Sequence, residues 1–66
     1  MRLYIDRQDI QTLNKVSEKE ALNIMRMIRE EYNLPKKRYI SIKAYCKFFM
    51  LNEESVLKAL GVHQSA

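Results

Sequence analysis

The sequence predicts a small all-α domain of four helices, with a short two-strand ribbon as an optional addition. Three observations predict it. Apolar residues recur at helical spacing, most plainly at Ala21, Ile24, Met25, Ile28 and Tyr32, which fall at i, i+3, i+4, i+7 and i+11. Residues that cap helix starts (Asp6, Ser17, Ser41 and Asn52) stand ahead of four separate stretches. Glycine and proline occur once each in 66 residues, too rarely for a turn-rich all-β chain.

Each element follows from local chemistry. Residues 1–5 alternate Leu3 and Ile5 with Arg2 and Tyr4, which is strand-like but short. Asp6 is the N-cap of a first helix, Arg7 to Leu13, with Asp9 in its first turn near the positive end of the helix dipole. Asn14-Lys15-Val16-Ser17 is a break, after which a second helix runs from Glu18 to about Tyr32. Ser17 and Glu20 have capping-box spacing: the hydroxyl accepts from the Glu20 N–H, and the carboxylate reaches back to the Ser17 N–H. Asn33 and Pro35 end this helix. Lys36-Lys37-Arg38 is a basic run, and Tyr39-Ile40 is extended, so a ribbon of Leu3–Ile5 with Arg38–Ile40 is expected.

Ser41 caps a third helix, Ile42 to about Phe49, with Ile42, Tyr45, Cys46 and Phe49 on its inner face. Phe48 points off that face. Asn52 caps a fourth helix, Glu53 to Leu60, and Gly61 suits its C-terminal turn. The expected organisation is a single domain over residues 1–62 and a disordered tail over 63–66, which contains His63. The expected core is Ile10, Leu13, Val16, Ala21, Met25, Ile28, Tyr45, Phe49, Val56, Leu57 and Leu60.

Composition narrows the function classes. Cys46 is the one cysteine and His63 the one histidine, so neither an internal disulfide nor a four-ligand zinc site is available, and no metal or cofactor is expected. No apolar run reaches the length of a membrane span and no signal-peptide pattern opens the sequence; with the single thiol this predicts a cytoplasmic protein. No glycine-rich phosphate loop and no nucleophile–base pair is visible, so an enzyme is not expected. Twelve Lys and Arg against eight Asp and Glu give a net charge of +4, which favours a polyanionic partner.

Two helices joined across the break at Asn14–Ser17, with Ile10, Leu13, Val16, Ala21 and Ile24 or Met25 as interlocking apolar points, have helix-turn-helix spacing. Asp9, Ile10, Gln11, Leu13, Val16, Ser17, Ala21, Ile24, Arg26 and Ile28, in roughly the first half of the chain, resemble small helix-turn-helix DNA-binding proteins of phages and mobile elements, of the excisionase-like or regulatory type. The resemblance implies binding of double-stranded DNA and no catalysis. Two positions depart from it. Asn14 replaces an apolar residue, and Lys15 occupies a turn position that is often glycine, where a left-handed backbone costs on the order of 1 kcal/mol. Asparagine tolerates that region better than most residues, so a turn shifted by one is an alternative.

In this reading the second helix is the reading head, with Lys19, Asn23 and Arg26 as base-contacting residues; Asn pairs with adenine and Arg with guanine. Lys15, Ser17, Lys36, Lys37 and Arg38 are the phosphate contacts, the basic run gripping the backbone as a wing loop does. Solvated surface is the plain alternative for all of them. The function expected is sequence-specific duplex binding in the regulation of transcription or recombination, as a homodimer or beside a protein partner. The competing expectation is a small helical adaptor that binds another protein through Leu22, Met27 and Phe48 and does not touch DNA. Charge placement discriminates them: Lys19, Arg26, Lys36, Lys37 and Arg38 on one face favours DNA.

Overall fold

Asp6, Ser17, Ser41 and Asn52 each cap a helix, as their chemistry dictates. The computed structural model describes residues 3–61. The chain runs β1 (Tyr4–Asp6), α1 (Arg7–Asn14), α2 (Glu18–Tyr32), β2 (Tyr39–Ser41), α3 (Ile42–Phe49) and α4 (Glu53–Ala59). The fold is mostly helical with one two-stranded antiparallel ribbon, β1 against β2. The tail expected at 63–66 lies outside the described residues. Among the described residues no helix is long and apolar enough to cross a membrane.

Both strands sit one residue later than the sequence suggests. The register pairs Tyr4 with Ser41, Ile5 with Ile40 and Asp6 with Tyr39. Burial explains the shift. Centring the ribbon on Ile5 and Ile40 turns both into the core, where they are 1% and 2% exposed. The outward rings of Tyr4 and Tyr39 then meet diagonally across the ribbon, edge to face at 4.9 Å. The Ile42 N–H donates to the Leu3 carbonyl at 3.0 Å, so the ladder continues into the start of α3.

The capping box forms at α1, not at α2. The Asp6 carboxylate accepts from the Asp9 N–H at 3.0 Å, and the Asp6 N–H donates to the Asp9 carboxylate at 2.9 Å. At α2 the box is one-sided. Ser17 Oγ accepts from the Glu20 N–H at 3.3 Å, while Glu20 Oε1 takes the Ser17 hydroxyl, at 3.5 Å, in place of the Ser17 N–H.

The turn between α1 and α2 is not shifted by one. Lys15 adopts the left-handed conformation, φ 53° and ψ 51°, and Asn14 is the last residue of α1. In this arrangement Asn14 Oδ1 accepts the Tyr45 hydroxyl at 2.6 Å, a bond that favours Asn14 at the helix end. Asn33 and Met50 close α2 and α3 in the same left-handed conformation. Met50 accepts it without glycine's freedom, at a cost that the surrounding packing must cover.

The core gathers Ile10, Ala21, Met25, Ile28, Tyr45, Val56 and Leu57 as expected, and adds Ile5, Ile40, Ile42, Ala44 and Cys46. Leu13, Val16, Phe49 and Leu60, expected inside, are only partly buried and pack against this core from its rim. Phe48 does not point away from it. It is also partly buried, edge to face with Phe49 at 5.0 Å and with Tyr32 at 6.5 Å. A helix of eight residues has about two turns, so adjacent aromatic residues at its end share the rim.

Three outcomes test this packing. Phe49→Ala should cost about half of the ~3–5 kcal/mol typical of a fully buried phenylalanine, and clearly less than Tyr45→Ala, in denaturant melts. Equal losses would move Phe49 into the core. Ser17→Ala should lose about 1 kcal/mol by removing the acceptor at the start of α2; unchanged thermal unfolding would assign the cap elsewhere. Burial raises the Tyr45 hydroxyl pKa above its ordinary value of 10.0. The folded state therefore favours the protonated form, and this stability is fully present below the unfolded value and is lost as pH rises through the folded one. Tyr45→Phe should lose ~1 kcal/mol at neutral pH, from the bond to Asn14, and should show a smaller further loss above pH 10 than the parent. An identical alkaline profile would place the proton loss on another group.

Candidate functional site

The buried stripe of α2 is Ala21, Met25 and Ile28. Helical periodicity then turns Lys19, Asn23 and Arg26 outward along one exposed row at i, i+4 and i+7, with Leu22 beside them. Lys15 and Ser17 lie at the turn before this helix, Lys15 exposed in the strained conformation and Ser17 occupied with the cap.

The basic run is held close to the same helix. The left-handed Asn33 and a 2.8 Å bond from the Leu34 N–H to the Arg29 carbonyl turn the chain back on itself. The Arg29 guanidinium then donates from Nη2 to the Lys37 carbonyl at 3.0 Å, tying the loop to α2. Pairing of Asp6 with Tyr39 brings Arg38 to the start of α1. The result is a groove of about 400 Å³ whose walls include Arg7, Arg29, Lys37, Arg38, Leu22 and Asp6. Among the described residues of this lining, four cations face one carboxylate, and that carboxylate accepts from the Asp9 N–H.

Of the groove cations, Lys37 and Arg38 are expected from the sequence, whereas Arg7 and Arg29 are not. Lys36 is exposed on the same loop without lining the groove. Lys19, Asn23 and Arg26 are outside the lining but adjacent to it, since Leu22, Arg26 and Arg29 follow each other at i, i+4 and i+7 on α2. Arg7 and Glu18, the first residues of α1 and α2, form an ion pair at 3.1 Å. Among the described residues, the Nε atoms of Arg7 and Arg29 are the buried side-chain nitrogens without an acceptor.

The apolar surface expected from Leu22, Met27 and Phe48 is not a single surface. Leu22 belongs to the basic groove, whereas Met27 and Phe48 line a separate open notch of about 350 Å³ with Glu30 and Glu31. Five residues on a helix turn through about 140° beyond a full revolution, so Leu22 and Met27 cannot share a face. Cys46 is buried in the core; burial, and after it the Glu53 carboxylate, push its thiol pKa up, so it is a protonated packing residue at neutral pH. Among the described residues no cluster of His, Cys, Asp or Glu could hold a metal ion.

Arg29 carries a weak sequence signal, being one turn beyond Arg26 on the same helix. Arg7 carries none, because its place in the groove depends on the ribbon register. Compared with known proteins, the chain matches no family model, no curated protein and no solved structure.

Proposed function

We propose that this protein binds double-stranded DNA in a sequence-specific way, as a regulator of transcription or recombination, with α1 and α2 acting as a helix-turn-helix. The observation that carries the reading is the four-cation groove beside the exposed polar row of α2. A duplex needs both parts: cations for its phosphates and hydrogen-bonding side chains for its base edges. Lys19, Asn23 and Arg26 supply the base contacts. Lys37 and Arg38 from the groove, with Lys36, Lys15 and Ser17 around it, supply the backbone contacts. One module of this size makes few base contacts, so useful specificity calls for a dimer on paired half-sites or for several copies side by side. The adaptor alternative keeps one supporting observation, the notch at Met27 and Phe48, with Met27 44% exposed.

Duplex binding measured by anisotropy over a salt series should weaken with a log–log slope of roughly −4, for about four or five neutralised phosphates. Replacing Lys36 and Lys37 with alanine should lower affinity for all sequences alike and flatten the slope by about one unit for each phosphate left without its cation. Asn23→Ala and Arg26→Ala should instead weaken a duplex selected from a random pool more than its scrambled counterpart. Equal losses on both duplexes would reassign Asn23 and Arg26 to backbone gripping. Absence of duplex binding at low salt and high protein concentration would remove the DNA reading and favour the adaptor.

A further inference from the structure

We infer that the basic groove seats one backbone phosphate and that Glu18 occupies Arg7 until that phosphate takes its place. This rests on the DNA reading for the source of the phosphate, but the seat itself follows from the groove. Arg7, Arg29, Lys37 and Arg38 converge on one concavity of about 400 Å³. Two of the four are arginines whose Nε–H is buried without an acceptor among the described residues, so a phosphate in the groove, beside its one carboxylate, Asp6, meets it only when the side chain turns. A buried donor without an acceptor is unfavourable until something supplies one. A phosphate supplies several acceptor oxygens at once, and the planar guanidinium fork matches it better than any other side chain.

The two arginines are held differently. Arg29 is fixed by its bond to the Lys37 carbonyl, which places no charge against its own and leaves the cation available. Arg7 is neutralised by the Glu18 carboxylate at 3.1 Å, with side chains 43% and 62% exposed. An ion pair this open to water is weak and easily exchanged. Glu18 also has somewhere to leave its charge. It is in the first turn of α2, where the helix dipole favours a carboxylate without any partner. Exchange therefore moves Arg7 from a carboxylate to a phosphate and leaves Glu18 on the helix start. The standing pair with Glu18 makes Arg7 a competed contact, so Glu18 lowers affinity for every polyanion equally.

The test is a double-mutant cycle in duplex binding, joined to an NMR titration of the parent with inorganic phosphate. Glu18→Gln should tighten binding to matched and scrambled duplexes alike and steepen the salt slope by about one unit. Removing any acid near DNA could do the first of these, so the decisive comparison is made in an Arg7→Ala background. There Glu18→Gln should give a clearly smaller gain, because only its general repulsion of phosphate is left to remove. An equal or larger gain without Arg7 overturns the exchange, while the DNA reading stands. Thermal melts of each variant check folding, and Arg7→Lys, which keeps the charge at this position, should retain part of the effect. In the NMR arm, the Nε–H signals of Arg7 and Arg29 should shift together with phosphate and not with chloride at equal ionic strength. If neither signal moves with phosphate or with duplex, the seat is overturned. If the parent binds no duplex but both signals move with phosphate, the DNA reading falls and the anion seat stands.

Discussion

The Tyr45 hydroxyl donates to Asn14 Oδ1 across 31 residues of sequence, at 2.6 Å, and the position of the first turn depends on that bond. The Tyr45 ring is 2% exposed and lies against Phe49 at 4.8 Å, so α3 is anchored in the core before its hydroxyl is counted. With the ring fixed, the hydroxyl reaches Asn14 Oδ1, presented from the last residue of α1. Lys15 then takes the left-handed backbone that glycine or asparagine would take more easily. Ser17 follows at the correct distance to cap α2. A part-buried polar contact of this kind favours one arrangement among near alternatives, because its loss, about 1 kcal/mol, is comparable with the cost of a left-handed lysine.

The ribbon plays the corresponding part at the other end. Two strands of three residues have no independent stability. They persist because Ile5 and Ile40 are core residues, each contributing about 1.5–3 kcal/mol when fully buried. Their register has a consequence for charge. Asp6 is both the last residue of β1 and the N-cap of α1, so the pairing that seats Ile5 also sets where α1 begins. Arg7 follows immediately, and Arg38 precedes β2 on the opposite strand. Packing of two isoleucines therefore decides that the first helix and the basic loop share a groove.

Most local features are legible in the sequence, and so is the pairing of two distant strands, but the exact register and the meetings of distant side chains are not. All four N-caps can be read because a capping side chain bonds to a backbone N–H two or three residues away. The apolar stripe of α2 can be read because fifteen residues give four turns of repeated pattern. The strand bounds slip by one because alternation over three residues does not fix which residue faces inward until its partner is known. Phe48 and Phe49 divide too sharply in the sequence for a similar reason: eight residues leave the edge of a helix face undefined. Arg7 and Arg29 are invisible as site residues because their meeting depends on the ribbon and on a carbonyl in the loop. Leu22, Met27 and Phe48 share apolar character alone, and helical geometry separates them.

Charge is distributed unevenly around α2, and this distribution sets the direction in which the molecule can meet a polyanion. The groove side carries Arg29 with Arg7, Lys37 and Arg38, while Met27 and Glu31 are about 140° and 180° from Leu22 around the helix. A net charge of +4 spread evenly would attract a phosphate chain without orienting it. With four cations on the groove side against Asp6 and Glu18, and Glu30 and Glu31 at the notch, the same charge turns the groove toward the chain and Glu31 away from it. Glu18 and Glu20, at the tip of the proposed reading helix, look at first like an objection to DNA. Each has a partner within the protein: Glu18 binds Arg7, and Glu20 closes the Ser17 cap through its backbone N–H and its carboxylate. Their negative charge is therefore partly answered before any duplex arrives, and Glu18, which competes for a groove cation, does so through a pair open to water and so to exchange.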